Sequence, residues 1–277
     1  MRRERAVRRA LGLMATVALC VSMSATAHAT QSVRLQATLT PERLGHGTTI
    51  GFGFQIATPA KQVPPPLTGV EVSYPVELGF ALSELGLAMC SAETLEVSGP
   101  EGCPANSLMG LGTALVEIPV GPEILYETVH VTIVRTTERS GHLALLIYAD
   151  GETPVSAQIV FPGLVSPAAP PFGGRLDMSI PLVPSLPGAP DVAVVQFRST
   201  LGPLHLRYHE HIHGRVVQYE PKGIPLPNRC PRGGFRFAAS FAFQDGSRSN
   251  AHTIVPCPTK RRQRALTADG TQIRRRG

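Results

Sequence analysis

The sequence predicts an all-β protein, an antiparallel β-sandwich of the immunoglobulin-like kind built from two packed β-modules. Short segments of alternating apolar and polar residues recur between turn residues, which is typical of strands. The chain has 27 Gly and 26 Pro, about a fifth of its 277 residues against an average of roughly 12%, so turns are frequent. After residue 29 no stretch of twelve residues keeps the apolar period of a helix. This composition excludes a helical bundle, a coiled coil and a multi-pass membrane protein.

The strands can be placed in order along the chain. The expected strands are 48–57, 70–74, 113–118, 129–135, 142–149, 155–161, 175–180, 192–198, 235–243 and 250–255. Segment 142–149 is apolar on both faces, which is typical of a buried central strand. Asp150-Gly151 and Asp245-Gly246 are strong signals for hairpin turns. Because side chains alternate along a strand, one face of the penultimate strand carries Phe235, Phe237, Phe241 and Phe243.

This order predicts five parts. They are a signal peptide (1–29), a β-sandwich module (30–161), a proline-rich connector (162–189), a second β-module with a terminal hairpin (190–257) and a disordered basic tail (258–277). Eight prolines lie between residues 162 and 190, and proline is confined to loops and strand edges. The proline-rich stretch could equally be a stiff excursion over one sandwich, so one domain or two remains open.

The N-terminus has the order of a secretory signal peptide. Five arginines within the first nine residues precede an uncharged apolar run over 10–23, and Ala27-His28-Ala29 supplies the small-x-small cleavage pattern. An uncleaved anchor is the alternative, but the run is short for a membrane span. A lipoprotein signal is disfavoured because Leu19 precedes Cys20. We expect a secreted or envelope-located protein with no stable membrane span after the signal is removed.

The four cysteines that remain after Cys20 predict disulfides, because an even number in an exported chain is typical of them. Four cysteines allow three pairings. Proximity along the chain favours Cys90 with Cys103 and Cys230 with Cys257. Neither pair has the C-x-x-C spacing of a redox or zinc site.

The net charge of +6 belongs to the two ends of the chain. Residues 30–257 hold 14 basic and 18 acidic residues, so the predicted folded part has a mild acidic excess. Nucleic-acid binding needs a basic face, and it is therefore not expected. The tail carries seven Lys and Arg residues. It is either a solvated end or a segment attracted to anionic cell-wall polymer or another anionic surface component.

Two cysteine-centred patterns carry a resemblance. Cys90-Ser91, Cys103-Pro104-Ala105-Asn106-Ser107, Gly110 and Thr113-Ala114 form the first, and Cys230-Pro231, Gly234-Phe235, Phe243-Gln244-Asp245-Gly246 and Val255-Pro256-Cys257 form the second. Together they resemble exported β-rich proteins of high-GC Gram-positive-type bacteria. The resemblance implies an exported β-protein without an assigned activity, and it adds no catalytic residue.

A histidine-rich segment is the one tempting metal site. His209-Glu210-His211-Ile212-His213 satisfies the His-Glu-x-x-His expression, which works on a helix where both histidines share a face. Here the apolar residues alternate with the histidines, which is the period of a strand. On a strand His209, His211 and His213 would point the same way, and imidazoles bind zinc or copper well. The alternative, which we favour, is a polar strand face with no metal and no cofactor.

Two functions from different classes follow. The sequence contains no nucleophile elbow, phosphate loop or dinucleotide fingerprint, so we expect a non-enzymatic, envelope-associated binding or structural module. The alternative is a secreted hydrolase, assisted by a metal on the histidines. A pocket where titratable groups converge would favour the hydrolase.

The signal-peptide interpretation predicts cleavage after Ala29, because Ala27 and Ala29 occupy the small positions that signal peptidase requires. N-terminal sequencing of the exported protein should begin at Thr30. A retained N-terminus, or one blocked by lipid on Cys20, contradicts the prediction.

Overall fold

The computed structural model describes residues 31–59, 62–80, 83–185 and 188–258. Most of these residues lie in strands. The strands are β1 (Ser32–Thr40), β2 (Gly47–Ala57), β3 (Leu67–Pro75), β4 (Leu108–Val120), β5 (Glu123–Arg139), β6 (His142–Gly151), β7 (Ala157–Pro167), β8 (Phe172–Ser179), β9 (Ala193–Leu201), β10 (Tyr208–Ile212), β11 (Arg215–Tyr219), β12 (Ile224–Pro225), β13 (Phe235–Phe243) and β14 (Arg248–Val255). One short helix, α1 (Ala92–Ser98), and two 3-10 turns, Pro100–Gly102 and Ala105–Ser107, precede β4. The predicted all-β, antiparallel class is confirmed.

One long sheet curls until its two edges meet. Its strand order is β1-β2-β9-β4-β5-β6-β7-β8-β3-β13-β14, with β12 pairing beside β2. Strand β1 packs alongside β14, and the Gln31 amide donates a hydrogen bond of 2.6 Å to the Ser247 hydroxyl next to this seam. Every ladder along this order is antiparallel, so the two edge strands of the eleven run in the same direction. We call this nearly closed sheet the barrel.

The immunoglobulin-like sandwich of two modules is not what the structure shows. β9 lies between β2 and β4, and β13 pairs with β3, so strands from 190–257 complete the sheet formed by strands from 30–161. The predicted connector 162–189 contains β8 and the end of β7. Alternation along a strand defines which face is buried. It does not say whether that face meets a second sheet or encloses its own interior, and this ambiguity is the reason for the difference.

The interior of the barrel is apolar because the inward-facing positions of its strands carry mainly aliphatic and aromatic residues. The shared face predicted for the phenylalanines of β13 is confirmed, since all four side chains are buried. Phe241 has no exposed surface, and its ring meets that of Phe54 edge to face with centroids 4.9 Å apart. Such aromatic pairs add to the stabilisation that burial alone provides.

A smaller apolar cluster lies on the outer wall. Ser91 caps the N-terminus of α1, its hydroxyl accepting a 3.0 Å hydrogen bond from the Thr94 backbone N–H. Leu95 of this helix is fully buried against the barrel wall, where its neighbours are Val134, Leu146 and Tyr148. The Cys90–Cys103 disulfide, with a Cα–Cα distance of 5.4 Å, encloses the helix in a short loop. The helix thus buttresses the outside of the barrel.

The two ends of the barrel differ. We call the end with Ala57 and Gly151 the upper end, and the end with Thr40 and Val255 the lower end. Residues from the two long connections at the lower end cover it with buried side chains, among them Leu78, Phe80, Leu85, Leu206, Tyr208, Ile224 and Leu226.

Tyr208 fastens the two lower connections together. Its hydroxyl donates to the Leu108 carbonyl and accepts a 2.8 Å hydrogen bond from the Gly86 backbone N–H. Burial raises the pKa of this phenol, and the hydrogen bond from Gly86 opposes the rise. Because a buried hydroxyl without partners would cost free energy, these two bonds specify how the connections pack.

Cys230 and Cys257 form the second disulfide, with a Cα–Cα distance of 5.9 Å. Val255 pairs with Phe235 at the ends of β14 and β13, and the chain before β13 curls back towards the cysteine that follows β14. Gly233 and Gly234 supply this curl, with φ angles of 85° and 90° that side chains with a Cβ rarely adopt. Both pairs favoured by proximity in the sequence are therefore disulfides in the structure.

Removal of the C-terminal disulfide should cost more stability than removal of the other one. It closes a loop with a sequence separation of 27, against 13 for Cys90–Cys103. The chain-entropy model assigns about 3–4 kcal/mol to the longer loop and about 3 kcal/mol to the shorter. Urea denaturation of C230A/C257A and of C90A/C103A measures both. A loss below about 1 kcal/mol for C230A/C257A would contradict this prediction.

Candidate functional site

A cavity of about 200 Å³ lies inside the barrel. Its lining is almost entirely apolar and comes from strands around most of the ring. Large side chains line it from β2 and β13, where Phe54 and Phe237 lie. Small side chains line it from β4, β6 and β7, among them Ala114, Ala149 and Ala157. These three alanines contribute little side-chain volume to the space that the strands enclose.

The connection from β8 to β9 passes over the upper end of the barrel. These two strands lie five positions apart in a ring of eleven, so residues 180–192, of which 186 and 187 are not described, lead from one side to the other. Pro181, Leu182 and Val183 line the cavity. Leu182 is also 41% exposed. A residue that meets both the cavity and solvent marks the upper end as its mouth.

Specific hydrogen bonds hold this connection in place. The Ser185 hydroxyl donates to the Pro190 carbonyl at 2.8 Å and also lies 3.3 Å from the Pro119 carbonyl of β4. On the far side, the Gln244 amide donates to the Asp191 carboxylate at 2.7 Å. The connection is thereby tied to β4 and to the turn between β13 and β14. Its prolines add stiffness, since each fixes its own φ angle.

Glu127 is the one charged residue among the described residues that line the cavity. It faces inward on β5 opposite Val116 of β4, and only 5% of its surface is exposed. Its two carboxylate oxygens accept hydrogen bonds from the backbone N–H groups of Thr153, at 2.9 Å, and Val155, at 3.3 Å. A buried carboxylate needs such partners. Glu127 thus fastens the turn between β6 and β7 at the mouth.

Sequence reasoning missed Glu127 and misplaced the turn that it holds. The strand was expected to begin at residue 129, whereas β5 begins at Glu123. Asp150 and Gly151 were expected to form a two-residue turn, but both belong to β6, and the turn comes after them. The sequence feature that could have identified Glu127 is its position, because it continues the inward-facing series of Val129, Val131 and Ile133.

Two further polar groups line the cavity, Tyr74 and Ser199. The phenol of Tyr74 lies directly over Gly174 of β8, where a Cβ atom would clash with the ring, and burial raises its pKa. The Ser199 hydroxyl lies 3.4 Å from the Phe52 carbonyl, at the far limit of a hydrogen bond. Neither residue forms a nucleophile–base pair with Glu127 in the hydrogen bonds described.

The histidines lie elsewhere, on a hairpin at the lower end. His209 and His211 share one exposed face of β10, which confirms the strand period, and His213 is in the turn with φ 49°. The Asn106 side chain holds the hairpin by pairing with the backbone N–H and C=O of His209, both at 2.8 Å. Across the described residues, no three His, Cys, Asp or Glu side chains are placed to hold a metal ion.

The remaining expected site residues are the cysteines and the signal-peptide positions. All four cysteines are in disulfides outside the cavity lining. Ala27 and Ala29 lie outside the described residues, as does the tail from 259 onwards. Within the described ranges, no helix is long and apolar enough to cross a membrane.

A second depression lies on the outer wall around β3, β7 and β8, and its lining is mixed in polarity. Two of its acidic residues, Asp177 and Glu71, pair with Arg175 at 3.0 Å and 3.8 Å. Exposed pairs of this kind contribute little to stability. The interior cavity is the better candidate site because it lies inside the barrel and its lining is apolar with few polar groups.

Comparisons with family models, with curated proteins and with solved structures give no match for this chain.

Replacement of Glu127 by Ala should lower the free energy of unfolding by about 1–3 kcal/mol, because two partly buried N–H groups lose their acceptor. Urea denaturation measures the change. Glu117→Ala is the matched control, since this neighbouring glutamate faces the outside of the same end and pairs with Tyr126. Equal losses in the two variants would contradict the role given to Glu127.

Proposed function

We propose that this protein is an exported, non-enzymatic binding protein that holds an apolar small molecule inside its barrel. The observation that carries the proposal is the cavity of about 200 Å³ with its apolar lining. Protein interiors are close-packed, and voids larger than a water molecule are few. An unfilled cavity of this volume costs on the order of 5 kcal/mol, which is comparable to the net stability of a domain. A cost of that size favours a cavity that is used.

The lining indicates the class of ligand. An apolar cavity does not hold water well, because a buried water needs two to four polar partners. Cavities of roughly 150 Å³ with aliphatic and aromatic walls stay dry and bind molecules such as benzene. The described lining offers three polar side chains, and Glu127 already accepts two backbone hydrogen bonds. The ligand is therefore mainly hydrocarbon.

The chemistry of the lining supports binding over hydrolysis. A hydrolytic site needs a nucleophile or metal, a base and a group that stabilises developing charge, all within reach of one another. Among the described lining residues the titratable groups are Glu127 and Tyr74, and the histidines lie at the other end of the molecule. No observation favours the hydrolase.

Export is the second half of the proposal. Two disulfides fit an oxidising compartment, and the N-terminal pattern is typical of a signal peptide. The basic tail after residue 257 would attach the carrier to anionic cell-wall polymer or another anionic surface component. The lower end, closed by Tyr208 and the second disulfide, leaves the upper end as the route for the ligand.

The proposal predicts one binding site for an uncharged hydrophobic fluorophore such as N-phenyl-1-naphthylamine. Its emission should rise on addition of the protein and saturate at one molecule per chain. Ala157→Phe should weaken binding at least about tenfold, because the larger ring occupies the cavity near its mouth. Gln158→Phe is the matched control, since residue 158 is exposed and points outward from the same strand.

Melting temperature and circular dichroism establish that both variants fold. Ala157→Leu, a milder substitution at the same position, covers the case in which the phenylalanine variant does not fold. Absence of saturable binding by the wild-type protein would overturn the proposal. Equal binding by the Ala157 and Gln158 variants would do the same.

A further inference from the structure

We infer that the cavity selects a single-chain amphiphile with a hydrogen-bond-donating head, a primary amine or alcohol, and discriminates against a carboxylate head. The inference rests on the proposed function and adds the shape and head-group chemistry of the ligand. Two observations carry it: the cavity is long for its volume, and its one charged lining residue in the described chain is Glu127.

The length of the cavity follows from its lining on β6. That lining runs from Leu145 to Gly151, which is about 20 Å along an extended strand. Strands in closed sheets tilt by about 35–45° from the axis, so the cavity is about 15 Å high. A volume of about 200 Å³ spread over that height leaves room for one hydrocarbon chain. It does not leave room for two chains side by side.

The charged group of the cavity lies at one end. Glu127, Gly151 and Val155 meet at the mouth, where the β6–β7 turn lies against the carboxylate. Towards the lower end the lining is mainly apolar, with Leu78, Phe80 and Phe237, and its polar groups are the uncharged hydroxyls of Tyr74 and Ser199. A chain that enters from the upper end would therefore place its tail among the aromatic rings and its head beside Glu127.

Glu127 can only accept hydrogen bonds when ionised. Each of its oxygens takes one backbone N–H, which leaves lone pairs free for a further donor. A head group that donates a hydrogen bond can pair with these lone pairs. An ammonium head group also has a positive charge that the carboxylate attracts. A second carboxylate would face like charge in surroundings of low dielectric, where repulsion is strong. No Lys or Arg lines the cavity among the described residues to offset it.

The test uses three ligands with the same ten-carbon chain: decylamine, 1-decanol and decanoate. Each displaces N-phenyl-1-naphthylamine from the full mature chain at pH 7.5, below the concentration at which it forms micelles or a separate phase. At this pH an alkylamine is protonated and an alkyl carboxylate is ionised. We expect decylamine and 1-decanol to bind on the order of tenfold or more tightly than decanoate.

Glu127→Gln removes the charge and keeps the shape of the side chain. In this variant the affinities for decylamine and 1-decanol should lie within about twofold of the affinity for decanoate, because the like charge is gone. Glu117→Gln removes one charge from the outer face of the same end and should leave the wild-type preference in place. The ratio of affinities, rather than affinity alone, separates a role in selectivity from a structural role.

Each outcome decides the inference. Decanoate binding as tightly as the other two ligands to the wild-type chain would overturn it and leave the proposed function standing. Uniform weakening of all three ligands by Glu127→Gln, with the preference unchanged, would also overturn it, since Glu127 would then only hold the turn. Failure of the fluorophore and of all three ligands to bind would overturn both the inference and the proposed function.

Discussion

The closure of one antiparallel sheet on itself is the constraint on which the rest of this structure depends. Inward-facing side chains of about eight strands fill the space that they enclose, and larger rings leave a space in the middle. Here eleven strands form the ring. The phenylalanines of β2 and β13 fill part of the interior, but Ala114, Ala149 and Ala157 on the opposite wall do not fill the rest. The cavity is a consequence of strand number combined with small side chains on one side.

The two ends of the barrel differ in structure, and the cavity therefore opens towards the upper end. The lower end carries long connections whose buried side chains, the hydroxyl of Tyr208 and the Cys230–Cys257 disulfide all act to keep it closed. The upper end has short turns and two proline-containing connections, from β2 to β3 and from β8 to β9. Leu182 on the connection from β8 to β9 meets both the cavity and solvent. A binding protein needs this asymmetry, since a cavity closed at both ends would exchange ligand only by unfolding locally.

Much of the fold could be predicted from local pattern, and the rest depends on long-range contacts. The face shared by the phenylalanines of β13, the turn at Asp245-Gly246 and the two cysteine pairings follow from residues close in sequence. Closure of the sheet cannot be predicted in this way. Strand β9 lies between β2 and β4, yet more than seventy residues of the chain separate it from each of them. The same holds for Glu127, whose importance comes from a turn 26 residues away. The strand that carries the histidines was predicted correctly from local pattern. The pattern did not indicate where that strand lies, which is at the end opposite the cavity mouth.

Crystals of the mature protein held under xenon pressure test the central claim most directly, because xenon enters apolar cavities and reports their position. The cavity described here predicts xenon inside the barrel, between Ala114, Ala149 and Ala157 on one side and Phe54 on the other. A barrel interior filled by its own side chains, with no xenon site within the ring of strands, would contradict the claim that this protein is built around a ligand cavity.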